Sequence, residues 1–127
     1  MNFKTIELEI INDLATVWLN RPDIHNAFNE VMISELITCF ESINKMDDVR
    51  IVILRGHGKS FCAGADLNWM RNVADYSYEE NYQESLNLSK CFYAIYTCKK
   101  PTIAMVDGAA IGGANGLLAA CDFAFAD

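Results

Sequence analysis

Thr102-Ile103-Ala104-Met105-Val106 runs into Asp107-Gly108, then Ile111-Gly112-Gly113-Ala114-Asn115-Gly116, then Leu117-Leu118-Ala119-Ala120. Pro101 introduces the β-rich run, glycines interrupt it, and small helix formers follow, which predicts strand, glycine loop, helix. Phe123 to Ala126 begins another strand. Upstream, Ile6, Leu8 and Ile10 alternate with polar residues, and Ala15, Val17 and Leu19 do so again after Asn12-Asp13. That pattern predicts two half-buried strands joined by a tight turn. Asn20-Arg21-Pro22-Asp23 reads as a loop. From an Asn29 N-cap, the apolar residues Met32, Leu36, Ile37, Phe40 and Ile43 recur at helical spacing, and Asp47-Asp48 closes that helix. Val49 to Leu54 is a short β-branched strand, followed by the glycine-punctuated loop Gly56-His57-Gly58-Lys59-Ser60. Asp66 can cap a short helical turn through Leu67-Asn68-Trp69-Met70. Tyr76 to Glu84 is polar and reads as either a mobile segment or a helix start. Leu86 to Tyr96 is helical in period, with Leu88, Phe92, Ile95 and Tyr96 on one side. Strands alternating with helices argue an α/β domain.

Composition narrows the function. The 127 residues carry ten basic and seventeen acidic side chains, a net charge of -7, and 52% are hydrophobic. No basic run exceeds Lys99-Lys100, so no nucleic-acid partner is expected. No continuous apolar stretch suits a signal peptide or a membrane span, because Asp107, Asn115, Asp122 and glycines break the segment from Thr102 to Ala126. Five cysteines, at 39, 62, 91, 98 and 121, form no CxxC pair, and the two histidines are far apart. Reduced thiols packed in a core, no metal site and a cytoplasmic location are the expectations.

Two glycine loops can bring backbone amides close to a ligand: Ala63-Gly64-Ala65 and Gly112-Gly113. The second opens a helix, whose free amides favour a negatively charged oxygen. Two converging amides would polarise a carbonyl and stabilise an enolate or a tetrahedral oxyanion. The same glycines equally suit tight turns and close helix–strand packing.

Five linked motifs carry a resemblance. They are Leu19-Asn20-Arg21-Pro22 with Asn26-Ala27, then Ile51-Val52-Ile53-Leu54-Arg55-Gly56, then Ser60-Phe61-Cys62-Ala63-Gly64-Ala65-Asp66-Leu67. Lys100-Pro101-Thr102-Ile103-Ala104 follows, running through Gly108, Gly112-Gly113 and Ala120-Cys121-Asp122. In this order they resemble the N-terminal half of the crotonase superfamily, which contains enoyl-CoA hydratases and isomerases. The resemblance implies a crotonase-like (ClpP/crotonase) spiral of repeated ββα units, incomplete here. Residues 1–127 would be the N-terminal part of such a domain, with the C-terminal half absent. It further implies a homotrimer or hexamer when complete, an acyl-CoA thioester substrate, and no cofactor beyond the coenzyme A carried by that substrate. The oxyanion hole falls on the amides of Ala65 and Gly113. Ile24, His25, Ala63, Gly64, Asp66, Leu67 and Gly112 fall in or beside the coenzyme A groove, with Asp66 read as a helix cap.

The chain departs from the family at one telling place. Familiar hydratases carry a glutamate three residues after the oxyanion glycine, where this chain has Gly116, and a second glutamate from a segment beyond Asp127. Paired carboxylates suit hydration because one activates water and the other protonates carbon. Glycine at 116 resembles relatives acting on branched or carboxylated enoyl-CoAs, such as methylglutaconyl-CoA hydratase-like proteins, and also crotonase-fold dehalogenases. The leading expectation is a parent acyl-CoA hydratase. An enoyl-CoA isomerase and a non-catalytic CoA-ester binder stand beside it. A dinucleotide-binding lobe fits poorly, since Gly108…Gly112-Gly113…Gly116 is not GxGxxG.

The remaining residues keep alternatives. Arg21 either anchors its loop or meets a phosphate, and Asp23 stands where the family often has a basic residue. His25 is either structural or near the groove, and Asn115 is a candidate pocket residue. Trp69, Met70 and Tyr76 either line an acyl pocket or pack between subunits. His57 is expected in solvent, Lys99-Lys100 at a solvated helix end, and Phe92 in the core.

Overall fold

The computed structural model describes residues 2–127. The chain forms β1 (Ile6–Ile11), β2 (Leu14–Leu19), α1 (Glu30–Ile43), β3 (Ile51–Gly56), α2 (Leu67–Ala74), α3 (Tyr78–Tyr96), β4 (Thr102–Val106), α4 (Ala114–Ala120) and β5 (Phe123–Ala126). Asn12 takes a positive φ of 56° at the hairpin tip, a conformation asparagine tolerates, and sets the register Ile11↔Leu14. The five strands lie in sequence order in one sheet; β1 and β2 are antiparallel and every later pair is parallel. Parallel neighbours need crossover connections, which α1, then α2 with α3, then α4 provide. This is the α/β class expected from the alternation.

The core lies between the sheet and its helices. Ala15, Val17, Leu19, Val52, Leu54 and Ala104 meet Met32, Leu36, Cys39, Phe40 and Ile43 of α1, with Ile95 of α3 and Leu117 of α4. Asn29 caps α1 through its side chain to the Met32 amide. The polar stretch after Tyr76 resolves as a helix start: Ser77 and Glu80 form a reciprocal capping box that opens α3 at Tyr78.

Three expectations are corrected. Helix α1 stops at Ile43, before Asp47-Asp48, where the Asn44 side chain accepts the Lys99 amide at 2.8 Å. Lys99-Lys100 is not a helix end, since α3 finishes at Tyr96 and the Lys100 ammonium donates to the Met46 carbonyl at 2.9 Å. His57 is not a free loop residue: its ring stacks on Trp18 with centroids 4.1 Å apart, and its Nε2 lies 3.3 Å from Glu7. Strand register explains the stack, because Trp18 pairs with Arg55 on β3, two residues before His57. The Arg55 guanidinium also sits over the Trp18 ring, 4.7 Å from its centroid.

Beyond the main sheet, extended residues that follow successive strands pair with one another. Phe28 bridges Ala65, and Cys62 bridges Ala110, both in parallel. This second, short ladder draws the loops after β2, β3 and β4 together at one end of the sheet.

Candidate active site

The ladder is stitched by main-chain bonds. Phe61 and Cys62 donate to the Ala109 carbonyl at 3.0 and 3.1 Å, and Ile111 donates back to Cys62 at 3.0 Å. Phe28 donates to Gly64 and Asp66 to Phe28, each at 2.8 Å, while Ala63 donates to His25 at 2.9 Å. Glycine is required where the loops touch. Gly64 has φ +91°, and a Cβ there would lie 2.8 Å from the Ile111 carbonyl oxygen and 3.8 Å from the Gly113 nitrogen. A Cβ at Gly113 would meet the Phe28 ring at 2.7 Å. These contacts place the two glycine loops side by side.

Several amides around them are committed, while those of Gly112 and Leu67 have no acceptor among the described residues. Ala63, Asp66 and Ala114 donate to carbonyls, and the Gly64 amide donates to the Cys62 sulfur at 3.4 Å. Among the described residues, the N–H groups of Ala65 and Gly113 have no acceptor. Gly113 is exposed and Ala65 half-buried. Both donors lie where the two loops touch.

Asp66 is the cap that its sequence position suggests. Its Oδ1 accepts from the Asn68 and Trp69 amides at 2.7 and 3.2 Å, and its Oδ2 pairs with Arg21 at 2.9 Å. Burial pushes this carboxyl up, but the two amides and the guanidinium outweigh it and hold its pKa below the ordinary aspartate value. Arg21 also donates to the Ala27 carbonyl at 2.6 Å, so of its two readings the structure shows the loop anchor. The loop it anchors contains two consecutive non-glycine residues at positive φ, His25 (55°) and Asn26 (58°). Asn26 is fully buried, accepts the Arg21 amide and donates to the carbonyls of His57 and Ser60. It ties this loop together, and the sequence marks it through the Asn26-Ala27 motif without naming its partners.

A cleft of about 620 Å3 opens beside these loops. Ile24, Ala63, Ala65, Asp66 and Leu67 line it. Arg21, Asp23, Ala27, Asn68 and Arg71 complete the lining, and Arg71 adds a cation that the sequence reading did not single out. His25, Gly64 and Gly112 do not line the cleft: the His25 ring lies 3.0 Å from Ser60 Oγ, Gly64 is buried at the loop contact, and Gly112 is exposed at φ +57°. Asn115 is turned to its own loop, donating to the Gly112 carbonyl at 3.1 Å.

The position of the family glutamate is filled from elsewhere. A Cβ at Gly116 would lie 2.5 to 2.9 Å from three atoms of the Phe92 ring. Phe92, on α3, is half-buried against the core and occupies the space that a side chain at 116 would enter. Trp69 is buried and meets Phe28 edge-on, whereas Met70 is exposed. The cysteines are not nucleophiles: all five are free, and burial pushes Cys39 and Cys91 up to about 12, Cys121 to about 11, and Cys62 and Cys98 upward. No helix among the described residues is long and apolar enough to cross a membrane.

Comparison with known proteins agrees with this geometry. A solved enoyl-CoA hydratase from Shewanella pealeana superposes with a TM-score of 0.95 at 40% identity, over 98% of this chain and 47% of that one. Human mitochondrial Delta(3,5)-Delta(2,4)-dienoyl-CoA isomerase is 38% identical over 123 residues, covering 86% of this chain and 36% of its own length. The trans-2-decenoyl-(acyl-carrier-protein) isomerase of Streptococcus mutans is 32% identical over 127 residues, covering 99% of this chain and 48% of its own length. The chain thus spans about half the length, or less, of these relatives. The enoyl-CoA hydratase/isomerase family model matches residues 9–127, and the chain belongs to that family.

Proposed function

We propose that this chain is the thioester-binding part of an acyl-CoA lyase of the hydratase type. The uncommitted amides of Ala65 and Gly113 would accept the thioester carbonyl oxygen, and the cleft along Ile24, Ala63 and Leu67 would hold the coenzyme A portion. The observation that carries this reading is the pair of free donors on loops locked together by the Cys62–Ala110 bridge. Donors fixed before the substrate arrives need no reorganisation as charge moves onto the oxygen, so they favour the enolate over the ground-state thioester. Arg71 at the cleft and Arg21 beneath it supply positive charge beside a ligand that carries phosphates. Coenzyme A enters as part of the substrate, with no resident cofactor, and three or six copies assemble in a cytoplasmic protein.

The hydration step needs a carboxylate to activate water, and Phe92 occupies the space at Gly116 where one relative class would place it. An isomerase, which moves a proton along the acyl chain, uses the same carbonyl grip and is the second reading. Both hydratases and isomerases stand among the relatives. The test is calorimetric titration of the 127-residue chain with crotonyl-CoA and, separately, NAD. Binding of the thioester alone supports the reading, and binding of NAD in preference sinks it.

A further inference from the structure

Helices α3 and α4 pack side by side, and a depression of about 460 Å3 runs between them. Helix α3 leads into β4 and α4 into β5, and those strands are parallel, so both helices run back along the sheet in one direction. The Phe92 ring against Gly116 fixes how far along each other they sit. Three residues earlier on each helix, about 4.5 Å at 1.5 Å per residue, Ser89 of α3 comes level with Gly113, the N-cap of α4. The Gly113 amide is one of the two uncommitted donors where the glycine loops touch.

Ser89 and Gly116 line the same depression. A Cα–Cβ bond in a helix tilts toward the N-terminus, so the Ser89 side chain leans toward the Gly113 end of this wall. Helical hydroxyls commonly turn back to the carbonyl four residues earlier, as those of Ser42 and Thr97 do to Thr38 and Tyr93. Among the described residues the Ser89 hydroxyl makes no such bond, and the residue is exposed. Two further hydroxyls line the depression, those of Tyr93 and Tyr96, but they start one and two turns farther from the amide level. No carboxylate lines it, and Phe92 fills the space that a side chain at 116 would enter. Ser89 is therefore the polar group of this depression that stands nearest the level of the Gly113 amide.

The geometry points to Ser89 as the hydrogen-bond partner of an oxygen on the acyl β-carbon. A thioester whose carbonyl oxygen rests on the Ala65 and Gly113 amides carries its β-carbon two bonds beyond the carbonyl carbon, toward the α3 wall. A hydroxyl on that carbon can donate to Ser89 Oγ or accept from it, and a plain methylene can do neither. Ser89 reaches the chain from one side, so it also distinguishes the two hands of a 3-hydroxyacyl group. The inference rests on the thioester reading above and names a specificity-determining residue of that site.

The experiment is a set of calorimetric affinities of the 127-residue chain for butyryl-CoA and for each enantiomer of 3-hydroxybutyryl-CoA. One enantiomer should bind about fivefold or more tightly than butyryl-CoA, and the other should show no such gain. Ser89→Ala should erase that preference while leaving the affinity for butyryl-CoA unchanged, which a general loss of structure would not do. Ser89→Thr, which keeps the hydroxyl, should retain it, and Tyr93→Phe should leave it intact. Equal affinities for all three esters, a preference that survives Ser89→Ala, or one that Tyr93→Phe abolishes overturns the proposal and leaves the thioester reading standing. Failure to bind any ester overturns both.

Discussion

Replacing Asp66 by alanine removes three interactions at the point where the cleft, the β2 loop and α2 meet. Two are cap bonds to the Asn68 and Trp69 amides; the third is the 2.9 Å pair with Arg21, whose side chains are 20% and 11% exposed. Loss of an N-cap costs about 1 kcal/mol. A guanidinium left half-buried without its carboxylate costs about 1.5–3 kcal/mol more, well above the value of an exposed ion pair. The expected destabilisation is therefore on the order of 3 kcal/mol, measured by urea unfolding of the chain. Asp66→Asn keeps a cap acceptor and loses the charge, so it should fall between the two proteins. A cycle with Arg21→Met isolates the pair, with an expected coupling of about 1.5 kcal/mol or more. A cost for Asp66→Ala under about 1 kcal/mol, or a coupling near zero, would refute the claim that this pair holds the loop.

The same pair fixes a pH dependence. The folded-state pKa of Asp66 lies below the ordinary aspartate value, so its contribution is complete above that ordinary value and is lost as pH falls through the lower, folded-state pKa. In Arg21→Met the loss should begin at higher pH, because the guanidinium no longer holds the carboxylate ionised.

Other consequences are simpler to test. Burial and the charge of Glu30 hold Glu84 above the ordinary glutamate value, so ionisation works against the fold as pH rises past that value; Glu84→Gln should match the parent at pH 4 and be the more stable of the two at pH 7 in urea unfolding. Gly64→Ala must adopt φ +91° with its Cβ against the Ile111 carbonyl, and should cost about 2 kcal/mol or more and weaken thioester binding, read by unfolding and calorimetry together. Cys39, Cys62 and Cys91 are buried with raised pKa values, so a thiol reagent at pH 8 should label them only at the rate of unfolding.

What the sequence made legible was local. The Asn29 and Asp66 caps and the strand–glycine–helix order depend on residues close together in the chain, and the structure contains each of them. The expected alternation is not kept: Ala15, Thr16 and Val17 are all buried in β2, and Ile10 and Ile11 are exposed in β1. The partners were not legible. Arg21 and Asp66 are 45 residues apart, and nothing in Asn20-Arg21-Pro22 distinguishes a guanidinium that anchors a loop from one that meets a phosphate. His57 looked solvated because its loop is glycine-rich, yet its partner Trp18 is set by the β2–β3 register. Asn26 stood in a motif, yet nothing along the chain named the three segments it ties together. Glu84 belonged to a polar run whose helical phase only the Ser77 cap determines; once α3 starts there, Glu84, Leu88 and Phe92 follow at intervals of four and share a face.

Gly116 shows why an absence in sequence can be a presence in space. Read alone, it is a missing glutamate; in the fold, it is the site where the Phe92 ring sits. Phe92 in turn follows helical spacing and reads as an ordinary core aromatic, so neither residue points to the other along the chain. Their coupling means that the carboxylate cannot be restored by one change. Glu at 116 drives its Cβ into the aromatic ring, and an overpacked position of this kind costs about 1–3 kcal/mol. Alanine at 92 alone removes that ring and leaves a void. Only the joint exchange keeps the volume while moving charge into the pocket. The side chain that position 116 can carry is therefore set by a pair of residues on different helices.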